Sequence, residues 1–275
     1  KILIFVLSQT FKIRKMKDMI KGKNIEIMSP AGSYESLMAA VKAGAGSVYF
    51  GAGSMNMRSK SSYNFTEEDL GKITEICRKH GVKSYLTVNT IIYDHELDEV
   101  DRVLDAAKSN DITAVIASDI AVIQKAKEKG IDVHISTQCN ITNIEAVKLY
   151  SRFADVMVLA RELSLEQVKK ITEEIEEQNI TGPSGEFVRI EMFIHGALCM
   201  AVSGKCYLSL HEMNRSANRG GCLQTCRKAY TVTEKSSGNQ LEIDNEYIMS
   251  PKDLKTIHFL NKILDAGVTV LKIEG

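Results

Sequence analysis

The sequence predicts a TIM-like (β/α)8 barrel, an α/β fold. Three observations predict it. Short β-rich runs alternate with longer helical patterns along almost the whole chain, which indicates parallel strands joined by crossovers. The 275 residues suit one barrel, which typically takes about 250. Hydrophobic residues make up 44%, enough for a large core and against disorder. An open doubly wound sheet is the competing architecture. No G-x-G-x-x-G follows the first strand, which disfavours its dinucleotide-binding version.

In order, the β-rich runs are Ile25–Ser29, Ser47–Gly51, Lys83–Asn89, Ala114–Ser118, Val133–Thr137, Val156–Ala160, Arg189–His195 and Thr269–Glu274. Helical patterns lie near Tyr34–Ala43, Thr66–His80, His95–Ser109, Ile120–Lys129, Ile144–Phe153, Ser164–Gln178 and Pro251–Ala266. Thr66 with Asp69, and Ser164 with Gln167, have N-capping spacing. Gly44, Gly81, Gly130 and Gly267 stand where helices should end before the next strand. The sequence stops just after the eighth run, so the eighth helix is absent from it and is expected beyond it. Residues 1–22 begin with the apolar run Lys1-Ile-Leu-Ile-Phe-Val-Leu7, too short for a bilayer, which needs roughly 20 residues, and they read as a peripheral segment. The barrel domain is residues 23–275.

Residues 196–250 break the rhythm. A βα connection is usually about 2–6 residues, so this is an insertion at the C-terminal end of strand seven, the face where such barrels place active sites. A small hairpin, Thr231–Thr233 with Leu241–Ile243, is expected inside it around Gly238-Asn239.

Lys+Arg and Asp+Glu are both 35, which argues against a surface that grips nucleic acid along its whole extent and leaves room for a local patch. With no export signal and no membrane span, the expected compartment is the cytoplasm. Six cysteines there are thiolate ligands or core residues rather than disulfides. Four fall in the insertion, Cys199, Cys206, Cys222 and Cys226, as C-x6-C-x15-C-x3-C. Such a set can close on zinc or an iron–sulfur cluster, or stay as reduced thiols. Both short spacings exceed the x2 of zinc ribbons, which favours a cluster. Cys77 reads as core. Cys139, just after strand five, is a reserve ligand or a free thiol at the mouth.

Strand parity assigns the interior. Glu191, Phe193 and His195 face inward on strand seven, Lys272 and Glu274 on strand eight, and Glu26 and Met28 on strand one. Glu26, Lys272 and Glu191 are therefore expected to meet, since buried charges must be paired. Tyr85, Thr87 and Asn89 point inward on strand three, and His134, Ser136 and Gln138 on strand five. Asn89, Gln138, Arg161 and His195 should converge on the mouth. Arg161 suits a carboxylate, to which its guanidinium donates two parallel hydrogen bonds. His195 suits general acid–base work or second-sphere support of a cluster. Arg215, Arg219, Arg227 and Lys228 form a basic run able to touch phosphates, although a solvated loop is its ordinary explanation.

The segment Glu191-Met-Phe-Ile-His195-Gly-Ala-Leu-Cys199-Met-Ala-Val-Ser-Gly204-Lys-Cys206 resembles the signature of the collagenase-like peptidase family U32. Ser29-Pro-Ala-Gly32-Ser, Val88-Asn89-Thr90, Ser136-Thr-Gln138-Cys-Asn140, Leu159-Ala-Arg161-Glu162-Leu-Ser164 and Asn218-Arg-Gly-Gly-Cys222 resemble its other blocks. Several members are oxygen-independent hydroxylation proteins for tRNA, rRNA or ubiquinone precursors. The resemblance thus implies a [4Fe–4S] cluster on Cys199, Cys206 and Cys222, with prephenate, a dicarboxylate, as hydroxyl donor and RNA, tRNA wobble uridine above all, as substrate. Many members carry a further cysteine where this chain has Lys255, so Cys226 is taken as the fourth ligand. Glu191, His195, Arg161, Asn89 and Gln138 are the candidate catalytic set. Two alternatives stand beside hydroxylation: a collagenase-like peptidase, and a non-catalytic partner of a homologous subunit. No H-E-x-x-H or G-x-S-x-G occurs, and the only nucleophile–base pair in reach, Cys199 with His195, would consume a cluster ligand.

Overall fold

In the computed structural model, residues 24–60, 64–240 and 247–274 are described. The peripheral segment expected over residues 1–22 and the 241–243 arm of the hairpin lie outside them. Strand β1 (Glu26–Pro30) is followed by α1 (Tyr34–Lys42), β2 (Ser47–Gly51), α2 (Leu70–Lys79), β3 (Lys83–Val88), α3 (Leu97–Ser109) and β4 (Ala114–Ala117). Then come α4 (Ile120–Glu128), β5 (Asp132–Ile135), α5 (Ile144–Ser151), β6 (Val156–Val158), α6 (Leu165–Glu177) and β7 (Arg189–Gly196). After the insertion, which contains α7 (Leu208–Met213), the chain adds β8 (Leu254–Lys255), α8 (Leu260–Asp265) and β9 (Val270–Ile273).

Eight of these strands are parallel and close into a barrel. Each of β1 to β6 pairs with the next, β6 pairs with β7, β7 with β9, and β9 with β1. Side chains alternate across the wall, so closure produces two separate apolar cores. Met28, Tyr85, Ala114, Ile116, Val156 and Val270 fill the lumen. Leu37, Ile73, Leu104, Ile123, Ile171, Ile190 and Leu271 pack between strands and helices. The parity reading of β1, β3, β5, β7 and β9 is therefore borne out, and Cys77 is buried in the outer core. Ser164 and Gln167 cap α6 reciprocally at 2.8 and 3.3 Å.

Two expectations fail. The helix expected over Pro251–Ala266 is only Leu260–Asp265. Its first part forms β8, antiparallel to the end of β7, with His195 opposite Lys255 and Gly196 opposite Leu254. The reason is an edge. β6 pairs β7 only from Arg189 to Glu191, so the rest of that side of β7 would present unpaired backbone groups. Thr256 extends this cover, donating from its backbone N and its Oγ1 to the Ile194 carbonyl. The hairpin in the insertion is represented by one antiparallel bridge, Thr233 to Gln240.

Second, Glu26 does not meet Lys272 and Glu191. It sits lower in the lumen, accepting from Tyr85 Oη at 2.7 Å and pairing with Lys83 Nζ at 3.1 Å and Arg189 Nη1 at 3.2 Å. Glu26 is level with Val270 on β9 whereas Lys272 is level with Met28, so parity alone had merged two layers. Burial pushes the Glu26 carboxyl up, but Tyr85, Ser47 and Lys83 outweigh it and hold it at about 2.

Candidate active site at the barrel mouth

A cavity of about 600 Å³ opens at the C-terminal ends of the strands. Asn89, Gln138, Arg161 and His195 all line it, as do Cys199, Cys206, Cys222 and Cys226. The convergence expected of these four residues is thus met; of the candidate catalytic set, the one outside the wall is Glu191. That residue is fully buried and does not reach the cavity.

The insertion is tied down over the lumen by side chains of other loops. Arg161 donates from Nη2 to the Ala201 carbonyl at 2.9 Å, and Asn140 donates from Nδ2 to the Ser203 carbonyl at 2.7 Å. Asn140 takes the left-handed conformation, φ +50°, which aims its amide at that carbonyl. Arg227 donates to the Leu198 carbonyl at 2.9 Å and pairs with Asp253 at 3.2 Å. Arg219 donates to the Ile91 carbonyl and to Glu96 Oε2, both at 2.8 Å, and lies 4.1 Å over the Tyr93 ring. Two arginines of the expected phosphate-contacting run therefore hold the insertion in place. Arg215 and Lys228 remain exposed.

Cys199 follows β7, Cys206 precedes α7, Cys222 stands three residues before a tight turn over residues 225–227, and Cys226 lies in that turn. Burial pushes the Cys226 thiol up, and charge on Cys199, Cys222 and Cys206 adds to this against the pull of Arg227. The Cys226 sulfur is thus within electrostatic reach of the other three. Among the described residues no three His, Cys, Asp or Glu side chains converge on a single metal ion. Cys139 is half-buried, donates to the Ser118 carbonyl at 3.5 Å, and is absent from the cavity wall.

Asn89 accepts from Met57 N at 3.2 Å, and Gln138 accepts from Ser136 Oγ. The Nε of Arg161 is buried with no hydrogen-bond partner. The imidazole of His195 is exposed, and among the described residues no side chain bonds it. Among the lining residues that were not expected at the mouth are Arg58 and Tyr49, together with Phe193 and Lys272, which parity had placed inward without assigning them to the site. Arg58 comes from the loop after β2, where no periodicity points inward, and pairs with Glu274 at 2.6 Å across the rim. Lys272 is 5% exposed and bonds Glu191 at 2.7 Å.

Comparison with known proteins places the chain. The family model for peptidase family U32 matches residues 32–275. The chain belongs to peptidase family U32. Among curated relatives of this U32 chain, a Porphyromonas gingivalis protein named Collagenase is 66% identical over 252 residues, 92% of this chain and 61% of that protein. The tRNA hydroxylation protein P1 of Bacillus subtilis is 34% identical over 273 residues, 95% and 62% respectively. The 23S rRNA 5-hydroxycytidine synthase of Escherichia coli is 33% identical over 257 residues, 93% and 37% respectively. The chain spans about three fifths of the first two relatives. A solved U32 peptidase structure superposes with a TM-score of 0.59 at 11% identity, covering 92% of this chain and 94% of the other, which supports the barrel fold. Among the described residues no helix is long and apolar enough to cross a membrane.

Proposed function

We propose that this chain is the barrel part of an oxygen-independent RNA hydroxylase acting in the cytoplasm, with tRNA wobble uridine as the leading substrate. The carrying observation is that four cysteines and a guanidinium with an unpartnered buried Nε line one cavity at the barrel mouth. Cys199, Cys206, Cys222 and Cys226 would hold a [4Fe–4S] cluster. A polynuclear group accepts thiolates spread more widely than one tetrahedral zinc does, which suits a Cys226 sulfur in electrostatic reach of the other three while no three described ligands converge on one ion. When bound, such a cluster supplies an iron site beside the substrate.

The protein's own residues then have definite tasks. Arg161 offers its Nε to an anionic co-substrate, for which prephenate is the proposed hydroxyl donor. Asn89 and Gln138 can pair with a base edge, and His195, free of other bonds, can move a proton. A base in a single-stranded anticodon loop leaves its stack at low cost and so can enter a barrel mouth. The chain's relatives include proteins named for tRNA and rRNA hydroxylation.

The test has two parts. The full-length protein, purified without oxygen, should carry about four iron and four sulfide per chain, and a gene deletion should remove one hydroxylated nucleoside from total RNA. Complementation with Cys199→Ser should not restore it. A second reading, proteolysis, is favoured by the identity to the protein named Collagenase. It predicts metal-independent gelatin cleavage that Cys199→Ser abolishes, together with unchanged RNA nucleosides.

A further inference from the structure

The cavity floor contains an ion pair that the reading above leaves without a task. Lys272 Nζ donates to Glu191 Oε1 at 2.7 Å and lies 4.5 Å over the Tyr49 ring and 5.4 Å over the Phe193 ring. Tyr49, Phe193 and Lys272 line the cavity; Glu191 lies behind them, fully buried. The second carboxylate oxygen, Oε2, has no hydrogen bond, and the equally unbonded Nδ1 of His134 stands 3.8 Å from it. His134 in turn packs against Tyr85, with ring centroids 4.4 Å apart.

We infer that Lys272 is a ligand-binding cation of this cavity, that it takes the carboxylate of a small molecule with an apolar body, and that Glu191 and His134 are positioning residues behind it. Four observations converge on this. A buried ion pair is no more stabilising than a well-packed apolar pair of the same volume, so closing the lumen does not require one here. An ammonium has three N–H donors, and Glu191 engages one. Among the described residues the cavity wall carries one carboxylate, Glu274, paired with Arg58, and two further cations: Lys272, paired from behind by Glu191, and Arg161, which has no carboxylate partner. That balance favours an anion. The wall also carries apolar side chains, Phe50, Ile116, Leu198 and Val202 among them, which suit a hydrocarbon body.

Glu191 then holds the ammonium in place. Burial pushes the Glu191 carboxyl up, but Lys272 and His134 outweigh it and hold it below the usual carboxylate range. The assignment moves ligand contact from Glu191, which parity had offered as catalytic, to the lysine in front of it.

This inference rests on reading the cavity as the reaction site. Its test uses neither RNA turnover nor the cluster, so the two can fail separately. Phenylacetate, one carboxylate on an apolar ring, is titrated by calorimetry into the full-length protein. Wild type should bind it saturably, and Lys272→Arg should stay within about fivefold. The double variant Lys272→Met with Glu191→Met removes both charges together, so it should fold and melt close to wild type. It should nevertheless bind phenylacetate at least about tenfold more weakly. A purely structural pair would leave binding in that double variant unchanged. That result, or the absence of saturable binding to wild type, overturns the inference.

Discussion

Glu26 shows what a single interior carboxylate contributes. It is 6% exposed and held at about 2 by Tyr85, Ser47 and Lys83, so its folded pKa lies below its unfolded one. Stability from this group is therefore present above the unfolded value and is lost as pH falls from about 4.5 through about 2. The shift corresponds to ~3 kcal/mol. Urea unfolding should show a stability loss over that range in wild type that is reduced by about this amount in Glu26→Gln. Gly196 is constrained differently. Its φ is +108°, and a Cβ there would stand 2.4 Å from the Glu274 carbonyl oxygen. Gly196→Ala should cost ~1–3 kcal/mol in the same assay. Lys255 faces His195 across the β7–β8 ladder, which brings it beside the cysteine loop. If Cys226 is the fourth ligand, Cys226→Ser should lower bound iron. Adding Lys255→Cys should restore part of it, because a thiol then enters the same region from β8.

The insertion is an element of unusual construction. Its buried residues, among those described, are all small: Ser203, Ser209, Ala217, Gly220, Gly221 and Thr225. Among the described residues, neither apolar core includes any between His195 and Phe259. Its order depends on directed hydrogen bonds, of which the Arg219–Glu96 pair over Tyr93 is the most elaborate. Arg219 holds the Glu96 carboxyl down at about 2, against the effect of burial. Arg219→Ala should speed amide exchange over residues 215–226 by a factor of about ten, equivalent to ~1.4 kcal/mol of local opening. Amides of β3 and β4 should keep their protection, because they open only with the barrel.

At the scale of the whole molecule, a closed barrel and a polar cap are joined through β7. The barrel has both apolar cores and should unfold as one unit. If the cap holds the proposed cluster, its loss should therefore leave the main thermal transition within a few degrees of its position. Exchange protection in the cap should fall at the same time. Chelator treatment followed by calorimetry and hydrogen exchange checks both. A collapse of the main transition would mean that the cap is part of the barrel's cooperative unit.

Much of this was legible in the order of residues. Alternation in β1, β3, β5, β7 and β9 assigned the lumen correctly because a strand's side-chain period is two whatever surrounds it. Four cysteines within 28 residues marked the mouth because the insertion interrupts an otherwise regular βα rhythm. Depth along the barrel axis was not legible. Glu26 and Lys272 share a parity, and only the register between β1 and β9 places them in different layers. The split between Glu191 as the hidden partner and Lys272 as the exposed face of one pair was equally invisible, because both point inward. β8 was read as helix because local composition does not reveal that the far end of β7 lacks a neighbour. The sequence by itself determined fold class, facing and the cysteine set, all of which follow from local periodicity and spacing. Tertiary structure alone decided axial layer, edge pairing and access to the cavity, since each depends on how strands far apart in the chain are staggered when the cylinder closes.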